Sequence, residues 1–555
     1  MVISCLFIGY GYAQNLIPFD WKLTFNKNSS DIESIPFNML LSWQRQGISD
    51  LKPTGELQTT FFIPDQKPTD FNLEVTLLAK VESININGHY ISGGFRTQFV
   101  WAANPNYKAK NFIIPHKYLK FNKQNSIKII CSNYSYTGGK SNNSIKLYSN
   151  SDSDSKIDIL YKTEDHLFEN PNQVSLDINV EANSRGFVNL LIQNDFHETL
   201  LEKKVNIVKG KQSYSIDLNS VKLNPGFYTV TAVLKDEGYV GDASFFTIAP
   251  TMIKPLKNEP EGYSKHWQDA IEELKTVKPN FEIEKRDDLT SERRNGYVIK
   301  MKSIGDVAIY GYYFVPKKKG KFPAILHLPG YGYGFEHLDD FLNSSNDIIE
   351  LALCVRGHGL SKESIATEFP IPGFFGYEIC DINKMAYRQI YMDCLRAVDF
   401  MVSREEVDKS KIGVMGSSQG GGLALMTAGL ASKHISACAY GDPFPTDMRN
   451  HIRIRTLIED ELESYLDYYG NKCSFEEGLK TFDFFDTKYF AKHIKASTFY
   501  VTGLVDDDCP PRLGFSAFNE INSQKEFIIF PNDSHIAESN WKKEMMIFFK
   551  REFKF

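Results

Sequence analysis

At 555 residues the chain is too long for one domain, and its length predicts three or four. Apolar content of 42% and charged content of 24% are ordinary for soluble globular protein. A net charge of −6 from 63 basic and 69 acidic side chains, with no strongly basic block, argues against a nucleic-acid partner, and no stretch after the N-terminus approaches the ~20 apolar residues needed to span a bilayer.

Residues 1–13 form a short apolar run ending in Gly11-Tyr12-Ala13 before Gln14. This reads as a secretory signal peptide and so predicts a secreted or periplasmic protein, although the usual Lys or Arg near the start is missing. The competing reading is a buried N-terminal strand. Of the eight cysteines, Cys5 lies in this run without a lipobox context, and only Cys131 of the others lies outside the second half. Their spacings show neither a zinc pattern nor a disulfide framework, so most read as buried thiols; export would permit one or two disulfides.

Residues 14–150 predict a β-sandwich. Phe71–Leu77 and Ser126–Ile130 alternate apolar and polar with period two, and Ile84-Asn85-Ile86-Asn87-Gly88 ends in an Asn-Gly turn signal. The segments Ile86–Gly94 and Ile113–Ile129 resemble the galactose-binding-like sandwich appended to many bacterial glycoside hydrolases and esterases. Phe121-Asn122-Lys123-Gln124-Asn125 departs from that pattern by lacking its glycine. The resemblance implies carbohydrate binding, for which Trp101, Tyr107, Tyr134 and Tyr136 are candidates; packing under loops is the simpler role for them. Residues 149–157 are small and polar and read as a linker. Residues 158–250 predict an immunoglobulin- or fibronectin-like sandwich serving as a spacer, with alternating strands at Val174–Val180, Gly186–Ile192 and Gly226–Val233.

From residue 258 to 555 the pattern changes to strands alternating with helices. Strands are expected at Phe322–Leu328, Ile348–Val355, Ile412–Val414, Ile435–Tyr440, Ser497–Val501 and Glu526–Phe530, and helices at Ala386–Ser403 and Asn540–Phe553. Repeated β-α units predict a mostly parallel sheet with helices on both faces, an α/β-hydrolase architecture behind the two all-β domains.

Chemistry concentrates at Gly416-Ser417-Ser418-Gln419-Gly420. A β-branched run precedes it and an apolar helical pattern follows, as in a G-x-S-x-G nucleophile elbow with Ser418 at its apex. The strained turn needs glycine because a neighbouring Cβ would strike strand or helix. In such folds the acid and then the histidine follow the serine along the chain. Asp506 stands at the end of a strand, with Asp507 and Asp508 as rivals, and His535 lies in the loop after the next strand. His535 would take the Ser418 proton as general base, and Asp506 would fix its tautomer. The oxyanion would be met by backbone N–H groups of Gln419 and of the loop Pro329–Gly334.

These residues bring a family into view. From about Glu261 onward the chain resembles the acetyl xylan esterase / cephalosporin-C deacetylase family of carbohydrate esterases. The likeness rests on Tyr387–Val398, Val407–Ile412, Gly416–Leu425 with serine for glycine at Ser417, Gly503–Pro511 and Phe515–Asn519. The resemblance implies Ser418, Asp506 and His535 as the triad and the amides of Tyr331 and Gln419 as oxyanion donors. It also makes Tyr331, Tyr333 and His358 substrate-pocket candidates, although for His358 hydrogen-bonding support behind the pocket is the simpler role. It implies no metal and no organic cofactor, an acetylated oligo- or polysaccharide substrate, and a possible homo-oligomer that the two added domains would crowd. Three departures fall beside the site: Pro329 where the family has histidine, His358 where it has glutamine, and Ile536 where it has an acid. They leave room for other carbohydrate esters (methyl, feruloyl or glucuronoyl), or for a weakly active hydrolase domain in a protein that mainly binds carbohydrate.

Overall fold

The computed structural model describes residues 15–555 except 29–30, 47, 49–53, 65–70, 78, 97–108, 133–143, 150–154, 219–220, 333, 336, 366–374, 456, 469, 471 and 536–537. The chain divides into two compact units, Met1–Ala249 and Pro250–Phe555.

The first unit is all β. Its first half pairs a seven-stranded sheet, centred on Thr54–Ile63 and Lys123–Ser132, with a three-stranded sheet of Ser144–Ser149, Phe71–Thr76 and Lys110–Ile114. The alternating side chains Leu73, Val75, Ile127 and Ile129 meet between them and are fully buried. The Asn-Gly signal forms the expected tight turn: Asn87 and Gly88 have φ of 50° and 84°, between Lys80–Ile86 and His89–Ser92. Asn122 takes a φ of 56°, so asparagine supplies the left-handed backbone in the segment that lacks glycine. The four aromatic candidates for sugar stacking, Trp101, Tyr107, Tyr134 and Tyr136, lie outside the described residues, as do residues 1–13 and Cys5.

The second half of this unit stacks a three-stranded sheet on a five-stranded one. Its central strand, Gly226–Lys235, is buried on both faces rather than alternating. One face meets the sandwich core through Val230, Ala232 and Leu234. The neighbouring strand, Tyr239–Ile248, touches the first sandwich: the Arg45 guanidinium lies 4.6 Å above the Phe245 ring and Tyr239 N–H donates to Asn15 O at 2.8 Å. The second sandwich is thus packed against the first within this unit.

The second unit is built on nine strands: β1 (Glu282–Arg286), β2 (Arg294–Ser303), β3 (Val307–Pro316), β4 (Phe322–His327), β5 (Ile349–Cys354), β6 (Val407–Ser417), β7 (Ala437–Gly441), β8 (Ser497–Gly503) and β9 (Lys525–Phe530). They lie in the order β1-β2-β3-β5-β4-β6-β7-β8-β9. From β5 to β9 every pairing is parallel, while β1, β2 and β3 form an antiparallel flank. That flank is absent from the expected strands: β1 and β2 mix charge with apolar residues, while the apolar run of β3, Val307–Pro316, carries a strand signal that the expected set omits. Helix α1 (Ala386–Ser403) matches its expected bounds, and its side chains are buried through most of its length. Helix α2 (Gln419–Leu430) follows the elbow. The last helix, α3 (Glu538–Phe553), sets Trp541, Met545, Phe548 and Phe549 against Ile325, Met415, Ala439 and Val501 on one face of the sheet.

Inside the sheet lies a buried ionic cluster. Arg294 Nη1 meets Glu350 Oε2 and Phe341 O, and its Nη2 donates to Phe314 O and Ile348 O, both at 3.1 Å. His327 Nε2 lies 3.0 Å from the other Glu350 oxygen. Burial works against the Glu350 charge, but His327 and Arg294 outweigh it and hold its pKa at about 2. Removing one partner strands a buried charge. Arg294→Met is therefore expected to destabilise this unit by about 3–5 kcal/mol, and adding Glu350→Leu to recover much of the loss. Chemical denaturation of the full chain, read on the transition that abolishes hydrolase activity, checks both outcomes.

Candidate active site

Ser418 sits at the carboxyl end of β6 with φ 58° and ψ −127°, a region a serine occupies only under strain. What holds it is crowding. A Cβ at Gly416 would lie 2.5 Å from the Gly420 carbonyl, and one at Gly420 would lie 2.4 Å from Leu328 O. Ser418 N–H donates to Gly441 O at 3.1 Å, and Ser418 O accepts from the N–H groups of Gly422 and Phe444. The serine at Ser417 fits because β7 presents Gly441 there: a Cβ at Gly441 would come within 2.7 Å of Ser417 Oγ.

The acid and the histidine come from the next strand ends along the same edge. Asp506 follows β8 and His535 follows β9. Their loops press together: Val505 N–H donates to Asp533 O at 3.1 Å, and a Cβ at Gly503 would lie 2.1 Å from that same oxygen. Asp506 Oδ2 lies 2.6 Å from His535 Nδ1, and Asp506 Oδ1 accepts the N–H groups of Asp508 and Cys509 at 2.8 and 2.9 Å. Of the three neighbouring aspartates, Asp506 is thus the one on Nδ1. Asp508 lies on the opposite side of the ring, Oδ2 3.4 Å from Nε2, and pairs with Arg455. Asp507 is buried beside them. In this resting arrangement Nε2 faces Asp508 and makes no hydrogen bond to Ser418. Burial disfavours a charged ring at His535, but the carboxylates of Asp506 and Asp508 outweigh it and raise its pKa to about 10. Burial likewise opposes the charge on Asp506, and the His535 partnership outweighs it and keeps the carboxyl below its ordinary value.

The loop after β4 meets the elbow through one side chain. Gln419, wholly buried, accepts from Tyr387 OH at 3.0 Å and donates to His358 Nε2 at 2.9 Å and Gly330 O at 3.2 Å. His358 Nδ1 donates to Arg356 O at 3.0 Å, which leaves Nε2 as the acceptor; burial lowers this ring's pKa to about 4 and keeps it neutral. Both nitrogens of His358 are thus used inside the protein and the residue is fully buried, so it supports Gln419 and does not wall a pocket. Arg356 in turn is clamped by Asp393 of α1, at 2.8 Å from Nε and 2.6 Å from Nη2. As the first residue of α2, Gln419 has a backbone N–H without an intrahelical acceptor. Tyr331 is half-buried; its hydroxyl accepts from Phe375 N–H at 3.1 Å and lies 3.5 Å from Tyr465 OH. Tyr333 lies outside the described residues.

The acetyl xylan esterase family pattern matches residues 251–553, more than half of the chain and nearly all of the second unit. The chain belongs to the acetyl xylan esterase family. It is a carboxylesterase-type hydrolase of α/β-hydrolase fold. It is 28% identical over 362 residues to the acetyl esterase Axe7A of Xylanibacter ruminicola, covering 63% of this chain and 79% of that protein. A solved acetyl xylan esterase from Paenibacillus sp. R4 shares 28% identity with a TM-score of 0.50, covering 54% of this chain and 98% of that one.

Within this acetyl xylan esterase fold two features have no counterpart in the motifs. The first is an aromatic cluster in which Phe375 packs on Phe444, Tyr465 and Phe482 at 5.1, 5.6 and 5.0 Å. Phe444 follows directly on β7, and its backbone N–H bonds Ser418 O. The signal for it was the run Asp442-Pro443-Phe444-Pro445 at a strand end, the same kind of position that marked Asp506. The second is a disulfide, Cys380–Cys473, with Cα atoms 5.6 Å apart across 93 residues of sequence; such a distance leaves no spacing pattern to read. Cys131, Cys354, Cys394, Cys438 and Cys509 are buried free thiols, as expected.

Asp508, Cys509 and His535 form a group whose ligand atoms lie within 4.8 Å of one another. It fits a metal ion poorly, since burial pushes the Cys509 thiol well up and a metal requires the thiolate. Among the described residues no helix is long and apolar enough to cross a membrane.

A histidine base works only when neutral, so a raised pKa moves the acid limb of kcat/KM to higher pH. That limb is expected above the ordinary imidazole value of about 6.5. Asp508→Asn removes one of the raising charges and is expected to move the limb down, as a pH–rate profile of both proteins would show.

Proposed function

We propose that this protein removes acetyl groups from carbohydrate through an acyl-enzyme on Ser418, with His535 as general base and Asp506 as its orienting acid. The observation that carries the reading is the Asp506–His535 pair at 2.6 Å, standing on the same strand edge as a strained elbow serine in a member of the acetyl xylan esterase family. On substrate binding, His535 Nε2 exchanges Asp508 for Ser418 Oγ. It takes the hydroxyl proton as Oγ attacks the acetyl carbon and then gives it to the departing sugar oxygen as the ester C–O bond breaks. Water, deprotonated by the same nitrogen, attacks the acetyl-enzyme, and that proton passes to Ser418 Oγ as the acyl bond breaks and acetate leaves. The Nδ1 bond to Asp506 fixes the tautomer that exposes Nε2 and stabilises the imidazolium. Backbone N–H groups of Gln419 and Tyr331 would receive the oxyanion, the first reinforced by the positive end of α2. This chemistry needs no cofactor from outside the chain.

The substrate class, an acetylated oligo- or polysaccharide, rests on the family and on what its relatives are named for. Export is supported by the apolar run of residues 1–13 and by the Cys380–Cys473 disulfide, which suits an oxidising compartment. Carbohydrate binding by residues 14–150 is part of the same proposal and rests on the galactose-binding-like motifs.

Ser418→Ala is expected to lower kcat on p-nitrophenyl acetate by on the order of 10⁴-fold or more. Equal activity of the two proteins would overturn the reading. Mass spectrometry of products from acetylated, methyl-esterified and feruloylated glycans then decides the ester: loss of acetyl groups alone is expected, and turnover of another ester in its place would reassign the substrate.

A further inference from the structure

Asp508 is a carboxylate that the acyl-transfer steps leave unused, and it is held more firmly than a loop aspartate needs to be. Its N–H donates to Asp506 Oδ1 at 2.8 Å. Its carbonyl accepts from His451 Nε2 at 2.8 Å and from Arg455 Nη1 at 3.2 Å. The same guanidinium nitrogen meets Asp508 Oδ1. His451 and Arg455 are themselves buried at the end of the helix Met448–Ile454, where Arg455 N–H donates to His451 O at 2.7 Å. The backbone and one carboxylate oxygen are thus fixed from behind. The other oxygen, Oδ2, is carried to 3.4 Å from His535 Nε2 on a side chain that is 28% exposed.

A permanent contact there would hinder the base. Burial disfavours a charged His535 ring, but Asp508 is among the carboxylates that favour it, and a general base acts only when neutral. The pairing with Arg455 accounts for Oδ1. It does not account for a partly exposed oxygen set beside the nitrogen that moves the proton.

Proton transfer decides what comes to stand beside that oxygen. Nε2 gives its proton to the departing sugar oxygen, which must therefore come within about 3 Å of Nε2. The carbon that carries the ester, and the carbons next to it, then lie against Asp508. A carboxylate only accepts hydrogen bonds, so the group that suits it is a donor. On a sugar that donor is the hydroxyl of the adjacent carbon, and it reaches Oδ2 as Nε2 turns to Ser418.

We propose that Asp508 is a specificity-determining residue: it accepts a hydrogen bond from the free hydroxyl beside the acetylated carbon, so the substrates are sugars whose acetyl group neighbours an unesterified hydroxyl. This rests on the reading of Ser418 and His535 as nucleophile and base. A neighbouring ether or second acetyl group has no proton to donate, and it sets another acceptor against the carboxylate.

The test uses the full chain and two acetates, 2-hydroxyethyl acetate and propyl acetate, in which a methyl group stands where the hydroxyl was. Each kcat/KM is divided by the ester's rate of alkaline hydrolysis, and the two are compared as a ratio. Both esters are neutral and meet the same free enzyme, so the protonation state of His535 cancels from the ratio at any one pH. Wild type is expected to favour the hydroxyl ester by about tenfold or more. Asp508→Ala is expected to bring the ratio to about one or below, chiefly through loss on the hydroxyl ester. Asp508→Asn keeps an acceptor oxygen without the charge and is expected to fall between them. A wild-type ratio near one overturns the proposal, and so does a preference that survives Asp508→Ala. Should Asp508→Ala fail to fold, an undiminished ratio in Asp508→Asn overturns it instead. Failure of the esterase reading looks different: Ser418→Ala would then hydrolyse both esters as fast as wild type, whereas failure of this proposal alone leaves both hydrolyses dependent on Ser418.

Discussion

The backbone of Ser418 is held where serine does not rest on its own, and much of the second unit is arranged to hold it there. With φ at 58°, the turn survives only because strand and helix can close on it from both sides. Gly416 and Gly420 let α2 start against the end of β6 and under the loop after β4. That close approach also brings the Gln419 side chain to Gly330 O, so the elbow and the neighbouring loop are tied by the residue that directly follows the serine. The strain at Ser418 and the tie between α2 and the loop after β4 are therefore one constraint.

A parallel sheet explains why the polar residues gather without being near in sequence. β4, β6, β7, β8 and β9 are adjacent, and each ends on the same edge. The residue just past each end is therefore brought beside its neighbours: Tyr331 in the first loop, then Ser418, Asp442, Asp506 and His535. The rule that α/β sheets place polar site residues at strand carboxyl ends singles out Ser418, Asp506 and His535 as candidates from the sequence, and the fold brings all three to one edge.

What the sequence left unread divides by physical cause. Local patterns carry local structure, so α1, the strands β4 to β9 and the Asn87-Gly88 turn were all visible as runs of period 3.6 or 2 or as a turn pair. In the antiparallel flank, β1 and β2 mix charge with apolar residues and resemble loops, whereas β3, Val307–Pro316, is an apolar and aromatic run that was legible and was passed over. Pairing across long separations leaves no pattern at all: Cys380 with Cys473, Arg294 with Glu350, His358 with Gln419. For His358 the sequence offered two roles, support or pocket wall, and only burial separates them. Which of three successive aspartates meets Nδ1 is likewise a matter of loop geometry, set here by the backbone bonds from Val505 and Leu504 to the histidine loop.

The departures from the family pattern show where this architecture tolerates change. Ser417 is larger than the glycine it replaces, and Gly441 on the adjacent strand gives up the space it needs. His358 replaces glutamine, yet a neutral imidazole still offers Gln419 one acceptor, with its Nδ1 proton secured by Arg356 O. Each change is absorbed next to where it occurs, and the atoms at the elbow and at the Asp506–His535 pair are left in place. The segment between β7 and β8 supplies Phe444, Tyr465 and Phe482 and is tied through Cys473 to Cys380 ahead of α1. It is also joined to the elbow, because the Phe444 N–H bonds Ser418 O and the rings of Phe444 and Phe482 pack on Tyr387, whose hydroxyl bonds Gln419.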